Sequence, residues 1–180
     1  RRSLQAMGIA GAGDDDALRR AAAGFVPLDH RLQVVHVVDG VTFVDDSLST
    51  NVLPTLAALD AFPGRRVALI VGGHDRGIDY APLATGLHAR SAPTLVLTLP
   101  DSGPRIHREI EPARTADSGV AGVHDCPDLD AAVARAFDWA RPDGVVLLSP
   151  AAPSFGHFKD YRDRAEAFTR AVVTVDHRAR

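Results

Sequence analysis

Two adjacent carboxylates followed by a run of hydroxyls, Asp45-Asp46-Ser47-Leu48-Ser49-Thr50-Asn51, lie between a strand-like run and a helical pattern. Carboxylates at a strand end can hold a metal or a ribose hydroxyl, and hydroxyls with free N–H groups at a helix N-terminus can bind an anion. The structural alternative is that Ser49 or Thr50 caps the helix and the aspartates face solvent. A second segment, Gly72-Gly73-His74-Asp75-Arg76-Gly77, follows the apolar run Val67 to Val71. Its glycines permit tight backbone approach and Arg76 could form a two-pronged bond to a carboxylate. An ordinary strand-to-helix turn with a solvated arginine is the alternative. The third, Ser149-Pro150-Ala151-Ala152-Pro153-Ser154-Phe155-Gly156-His157-Phe158, is a small-residue loop in which Ser154 is placed to cap the last helix and offer N–H groups to an anion. It lacks the G-x-S-x-G elbow of a serine nucleophile. His30-Arg31 precedes the first strand, where Arg31 could stack on a base or be surface charge. The 8 histidines show no H-x-x-x-H or H-x-H spacing, which sets metal hydrolysis aside. No G-x-x-x-x-G-K-[ST] pattern exists, so this chain carries no P-loop of its own.

These segments need rigid elements to hold them. Leu32 to Val38 is a β-branched run, Asp39-Gly40 a strong hairpin turn, and Val41 to Val44 a second strand. From Thr50 onward the period alternates. Helical patterns cover Leu53 to Ala61, Tyr80 to Ala89, Arg105 to Ile110, Asp128 to Trp139 and Phe158 to Val173. Strand-like runs cover Val67 to Val71, Thr94 to Leu99, Gly119 to Val123 and Val145 to Leu148. The alternation predicts an α/β fold: a Rossmann-like, mostly parallel sheet with helices on both faces and an antiparallel edge hairpin. In such sheets the ligand crevice lies beyond the carboxyl ends of the strands, so the three polar or Gly-rich segments are expected on one rim. Residues 1 to 23 read as two helical stretches split by Gly11-Ala12-Gly13, Gly24 to Asp29 as a connector, and Asp176 to Arg180 as a polar tail.

Composition sets the outer bounds. A chain of 180 residues, 46% hydrophobic and 24% charged, is about one domain able to bury a core. A formal charge of −3 and pI near 6.2 leave no basic footprint for nucleic acid. The apolar runs are too short to span a bilayer, and no apolar stretch follows Arg1-Arg2 to make a signal peptide. A lone Cys126 excludes an intramolecular disulfide and suits a cytoplasmic protein. Beginning at Arg1 without Met, directly in a helical pattern, the chain is expected to be a piece of something longer.

Taken in order, the segments resemble the C-terminal domain of the Mur ligases, in particular the glutamate-adding, MurD-type branch of peptidoglycan synthesis. The matching pieces are residues 24 to 31, Gly40-Val41 leading to Asp45 through Asn51, Gly72 through Gly77, Leu147 through Phe155, and then Phe158, Tyr161, Arg164 and Phe168. The resemblance implies that residues 1 to 27 are the tail of a central ATPase domain with its connector, and 28 to 175 the glutamate-binding domain. It implies a reaction in which ATP, with Mg2+, phosphorylates the carboxylate of UDP-N-acetylmuramoyl-L-alanine and the glutamate amine attacks the acyl phosphate. The P-loop, the Mg2+ ligands and the UDP-sugar site would belong to domains preceding this one. By position, Arg31 and Asp46 correspond to nucleotide contacts, and Thr50, Arg76, Ser154, Phe155 and Tyr161 to the glutamate pocket.

The departures are informative. Leu48 stands where glutamate-adding enzymes that use the D-enantiomer have lysine, and Arg76 where they often do. Ala152-Pro153 replaces Cys-Ala, and Ala165 replaces a glycine. These forms resemble a variant branch that adds L-glutamate, with an epimerase acting afterwards. The competing readings are an ordinary D-glutamate ligase, a folylpolyglutamate-synthase-like ligase, and a non-catalytic Rossmann-like module that binds an amino acid or nucleotide.

Overall fold

A computed structural model describes residues 14–23 and 28–179. Its elements are α1 (Asp15–Ala23), β1 (Gln33–Val38), β2 (Val41–Asp45), α2 (Val52–Asp60), β3 (Val67–Gly73), α3 (Ala81–His88) and β4 (Thr94–Asp101). They continue with α4 (Gly103–Ile110), a 3-10 turn (Glu111–Ala113), β5 (Val120–Asp125), α5 (Leu129–Ala140), β6 (Val145–Leu148) and α6 (Tyr161–Ala179). The expected helix before Gly11 and the connector's residues 24–27 lie outside the described residues. Asp14 caps α1 by accepting the N–H groups of Asp16 and Ala17.

One six-stranded sheet runs β1-β2-β6-β3-β4-β5, parallel except for the β1–β2 hairpin at its edge. Asp39 and Gly40 take φ of 47° and 80°, the left-handed pair a two-residue hairpin turn requires. Each central strand is buried on both faces, and side-chain alternation deals its residues to two cores. Phe43, Ala68, Ile70, Val146 and Leu148 face α5 and α6, where Phe137 and Phe168 pack on Phe43 with ring centroids 6.0 and 6.3 Å away. Val44, Leu69, Val71, Val145 and Leu147 face α2, α3 and α4. No helix among the described residues is long and apolar enough to cross a membrane.

This layering opens the site. The chain leaves β2 and β3 toward the α2–α4 face but leaves β6, which lies between them, toward α6 on the other. Connections diverging from neighbouring strands make a crevice at their carboxyl ends. The loops after β2, β3 and β6 meet there: the Asp46 N–H donates to Leu148 O, Gly72 to Pro150 O, and His74 to Pro153 O.

The two ends of the last helix differ most from expectation. The last helix begins at Tyr161 rather than Phe158, because Asp160 Oδ1 accepts the N–H groups of Arg162 (2.8 Å) and Asp163 (3.0 Å). Asp160 is therefore the cap in place of Ser154. The polar stretch from Asp176, expected beyond that helix, continues it to Ala179, with Asp176 3.5 Å from His36 Nε2 on β1.

Candidate functional site

The two aspartates that end β2 are not solvated: Asp45 is 1% exposed and Asp46 fully buried. Burial of a carboxylate is tolerated only when its oxygens are taken up by donors. Asp46 Oδ2 accepts the Ser149 hydroxyl at 2.7 Å and the Ser49 hydroxyl, while Oδ1 takes the Leu32 N–H (3.3 Å) and faces Arg31 Nη1 at 3.4 Å. The same Nη1 donates to Ser49 Oγ at 2.8 Å, so Arg31 is held on two partners while 40% of its side chain stays open to solvent. Asp45 binds His30 Nδ1 (2.7 Å) and the Ser47 hydroxyl (2.6 Å). The cap of α2 is Asn51, which accepts the Val52 N–H, rather than Ser49 or Thr50. Thr50 is left exposed at the loop's crest.

After β3 the chain makes two constrained steps. At Gly73, φ is 153° and a Cβ would sit 2.3 Å from Pro153 O, so no side chain fits between the β3 and β6 loops. Asp75 Oδ1 then accepts the Gly77 N–H at 2.9 Å, a turn closed by a side chain in place of a carbonyl. Arg76 is its outer residue. Its guanidinium lies 5.5 Å from the centre of the Phe155 ring, itself 51% exposed, in a cation–π contact that joins two loops. Asp75 does not pair with its neighbour Arg76; it pairs with Arg105 of α4.

Behind the third loop sits Arg164, fully buried on the apolar face of α6. It donates from Nη2 to Ser47 O (2.8 Å) and from Nη1 to Ala152 O (3.2 Å), tying the β2 and β6 loops through one guanidinium. Burial pushes its pKa down to about 10, with Asp45 opposing, so it stays charged at neutral pH. Tyr161, at the start of α6, packs edge-on against His30 with centroids 5.7 Å apart. Ser154 is buried and lines a cavity of about 280 Å³ with Gly72, Gly73, Leu99, Asp128 and Phe158.

The family is decided by comparison. The model for "Mur ligase, glutamate ligase domain" matches residues 30–152. The chain belongs to the Mur ligase family, in its glutamate ligase domain. A UDP-N-acetylmuramoyl-L-alanine--L-glutamate ligase of Xanthomonas oryzae pv. oryzae is 46% identical over 93% of this chain and 35% of its own length. One from a Micromonospora species is 46% identical over 98% and 38%. The chain thus spans little more than a third of the curated relatives it matches. Among solved structures, a murein peptide ligase from Psychrobacter arcticus aligns with TM-score 0.58 at 14% identity, over 87% of this chain and 32% of that one. A folylpolyglutamate synthase/dihydrofolate synthase from Yersinia pestis aligns at 0.52 and 18%, over 89% and 33%. At those identities the likeness establishes the Mur ligase fold and nothing finer.

The Mur domain brings the expected residues together in pairs. Arg31 meets Asp46, and Arg76 meets Phe155, while Tyr161 meets His30 instead of another expected pocket residue. Thr50 stays exposed after β2, and Ser154 is buried against the cavity it lines with Gly72 and Gly73. The sequence reading gave no role to Arg164, Ser149 or Arg105. A signal for Arg164 was present: it shares one helix face with Phe168, Ala171, Val172 and Val175, where an arginine has no reason to be unless it reaches buried acceptors.

Asp75 gives the site a pH limit. Its carboxyl is held below the ordinary carboxylate value of 3.8 chiefly by the Gly77 N–H, which burial opposes and Arg105 reinforces. An acid depressed in the folded state adds stability above its unfolded value of about 4, lost as pH falls through the folded one. The turn carrying Arg76 is therefore expected to persist at pH 4 and loosen below it. Carboxyl NMR of Asp75 should give a midpoint under 3.8, and one at or above it contradicts this geometry.

Proposed function

We propose that this chain is the carboxyl-terminal, glutamate-presenting domain of an ATP-dependent amide-forming ligase. In this reading the longer enzyme joins glutamate, L-glutamate by preference, to UDP-N-acetylmuramoyl-L-alanine in the cytoplasm during peptidoglycan synthesis. The observation that carries it is the meeting of three rim loops at one crevice, where Arg31, just before β1, is anchored on Asp46 of one loop and Arg76 of another has no ion-pair partner among the described residues.

The roles follow from what each group can do. Arg31, locked by Asp46 and Ser49 but open on one side, contacts the nucleotide. Asp46, sealed beneath it, acts through Arg31 rather than by touching the nucleotide itself. Arg76 binds a glutamate carboxylate, with Phe155 fixing its plane, and Thr50, Ser154 and Tyr161 complete the pocket. ATP supplies the phosphoryl group that makes the acceptor carboxyl an acyl phosphate; the glutamate amine displaces phosphate at that carbon. Closure of this domain over the reacting atoms keeps water from the acyl phosphate. Mg2+ fits poorly here, since both oxygens of Asp46 are already occupied and no cluster of three metal-binding side chains occurs among the described residues. It is assigned to the preceding domains, this chain's proposed partners.

Eight curated relatives between 41% and 46% identical, each named for L-glutamate, support the enantiomer. The isolated 180-residue chain should release no phosphate from ATP with acceptor and glutamate present, whereas the full-length enzyme should. A folate in place of the UDP-sugar should not serve as acceptor. Turnover by the isolated chain, or with folate alone, would overturn this assignment.

A further inference from the structure

Arg76 is useful to an incoming carboxylate only if it is presented outward and not already neutralised, yet an aspartate stands next to it in sequence. In this structure Asp75 is drawn the other way. Arg105, from the first turn of α4, pairs with Asp75 through Nη1 and donates from Nη2 to Ile78 O at 3.0 Å. Its guanidinium also lies 5.5 Å from the centre of the buried Tyr80 ring. It therefore grips the far side of the Arg76 turn at three points. The root of the turn is pinned by the residue just before α4: Ser102 Oγ accepts the Gly73 N–H (3.1 Å) and the Ser102 N–H donates to Gly73 O (3.0 Å). Among the described residues Arg76 itself has no ion-pair partner and rests on the Phe155 ring.

We infer that Arg105 is a positioning and specificity-setting residue for glutamate, which sequesters Asp75 so that Arg76 stays available to the substrate carboxylate. The inference rests on the ligase reading above. Without Arg105, the Asp75 carboxylate keeps the Gly77 N–H but loses its charge partner, and turns to Arg76 to compete with glutamate. A carboxylate already attached to the protein competes at high effective concentration, so the damage falls on glutamate binding and spares the nucleotide.

The test uses the full-length ligase. Arg105→Gln should raise KM for glutamate about tenfold and leave KM for ATP within about twofold, since one misplaced binding cation costs on that order. Adding Asp75→Asn should return KM for glutamate to within about twofold of wild type: asparagine still closes the turn onto the Gly77 N–H but cannot neutralise Arg76. Arg105→Lys keeps a partner for Asp75 and should lose no more than about threefold. That variant carries the test should the glutamine variant fail to fold. A double variant as impaired as the single one, equal rises in both KM values, or an unchanged KM for glutamate in Arg105→Gln would overturn the inference. A wild-type enzyme that uses neither glutamate enantiomer would instead bring down the ligase reading itself.

Discussion

Replacing Arg164 with methionine is expected to lower the melting temperature of this chain by roughly 6–12 °C, the equivalent of about 3 kcal/mol for a domain of this size. Methionine replaces the apolar stem of arginine but has no donors, so packing on α6 largely survives while Ser47 O and Ala152 O lose their partner. Buried acceptors stranded in this way cost far more than the same groups on the surface. The damage is also specific in place. Those carbonyls belong to the loop of Asp46 and the loop of Ser154, which this guanidinium ties together. Glutamate-dependent turnover of the full-length enzyme is expected to fall with stability, and Arg164→Lys to recover little, because an ammonium cannot hold both carbonyls with a planar fork. A melting temperature within about 2 °C of wild type in the methionine variant, under 1 kcal/mol, would show that the two loops hold each other without it.

Asp46→Ala is the other large effect. The carboxylate accepts the Ser149 hydroxyl at the start of the β6 loop, and it also takes Ser49, the Leu32 N–H and Arg31. Each buried donor left unsatisfied by its removal costs about 1–3 kcal/mol. Beyond stability, Arg31 would swing free on its long stem, and KM for ATP is expected to rise on the order of a hundredfold while KM for glutamate moves much less. Asp46→Asn, which keeps an acceptor but no charge, should fall between. A normal KM for ATP in a folded Asp46→Ala enzyme would remove Arg31 and Asp46 from the nucleotide site.

The sequence made the layers legible because their causes are local. Val145 to Leu148 and Val67 to Val71 are continuous apolar runs as strands covered on both faces must be, and Asp39-Gly40 has the residue types its left-handed turn needs. The rim segments were legible for the same reason, since each follows a strand directly. What was hidden is long-range. Nothing near Asp46 in sequence says that Ser149, 103 residues away, will help satisfy it in its buried place. Likewise Asp75 beside Arg76 reads as a charge pair; only the approach of α4 shows that its partner is Arg105. Ser154 was misplaced as a cap because the sequence offers two candidates, and Asp160, with a carboxylate that reaches two N–H groups, takes the position.

On the proposed reading, Leu48 and Arg76 are pocket positions at which the resemblance expects lysine in D-glutamate enzymes, and the most direct test of the central claim is therefore stereochemical. Phosphate release by the full-length enzyme should be measured with ATP, Mg2+ and UDP-N-acetylmuramoyl-L-alanine, in parallel with L- and D-glutamate. Release that depends on L-glutamate, with D-glutamate near background, is the expected result. Release with D-glutamate alone would show that a leucine and an arginine serve the ordinary enzyme, and release with neither would contradict the glutamate ligase assignment.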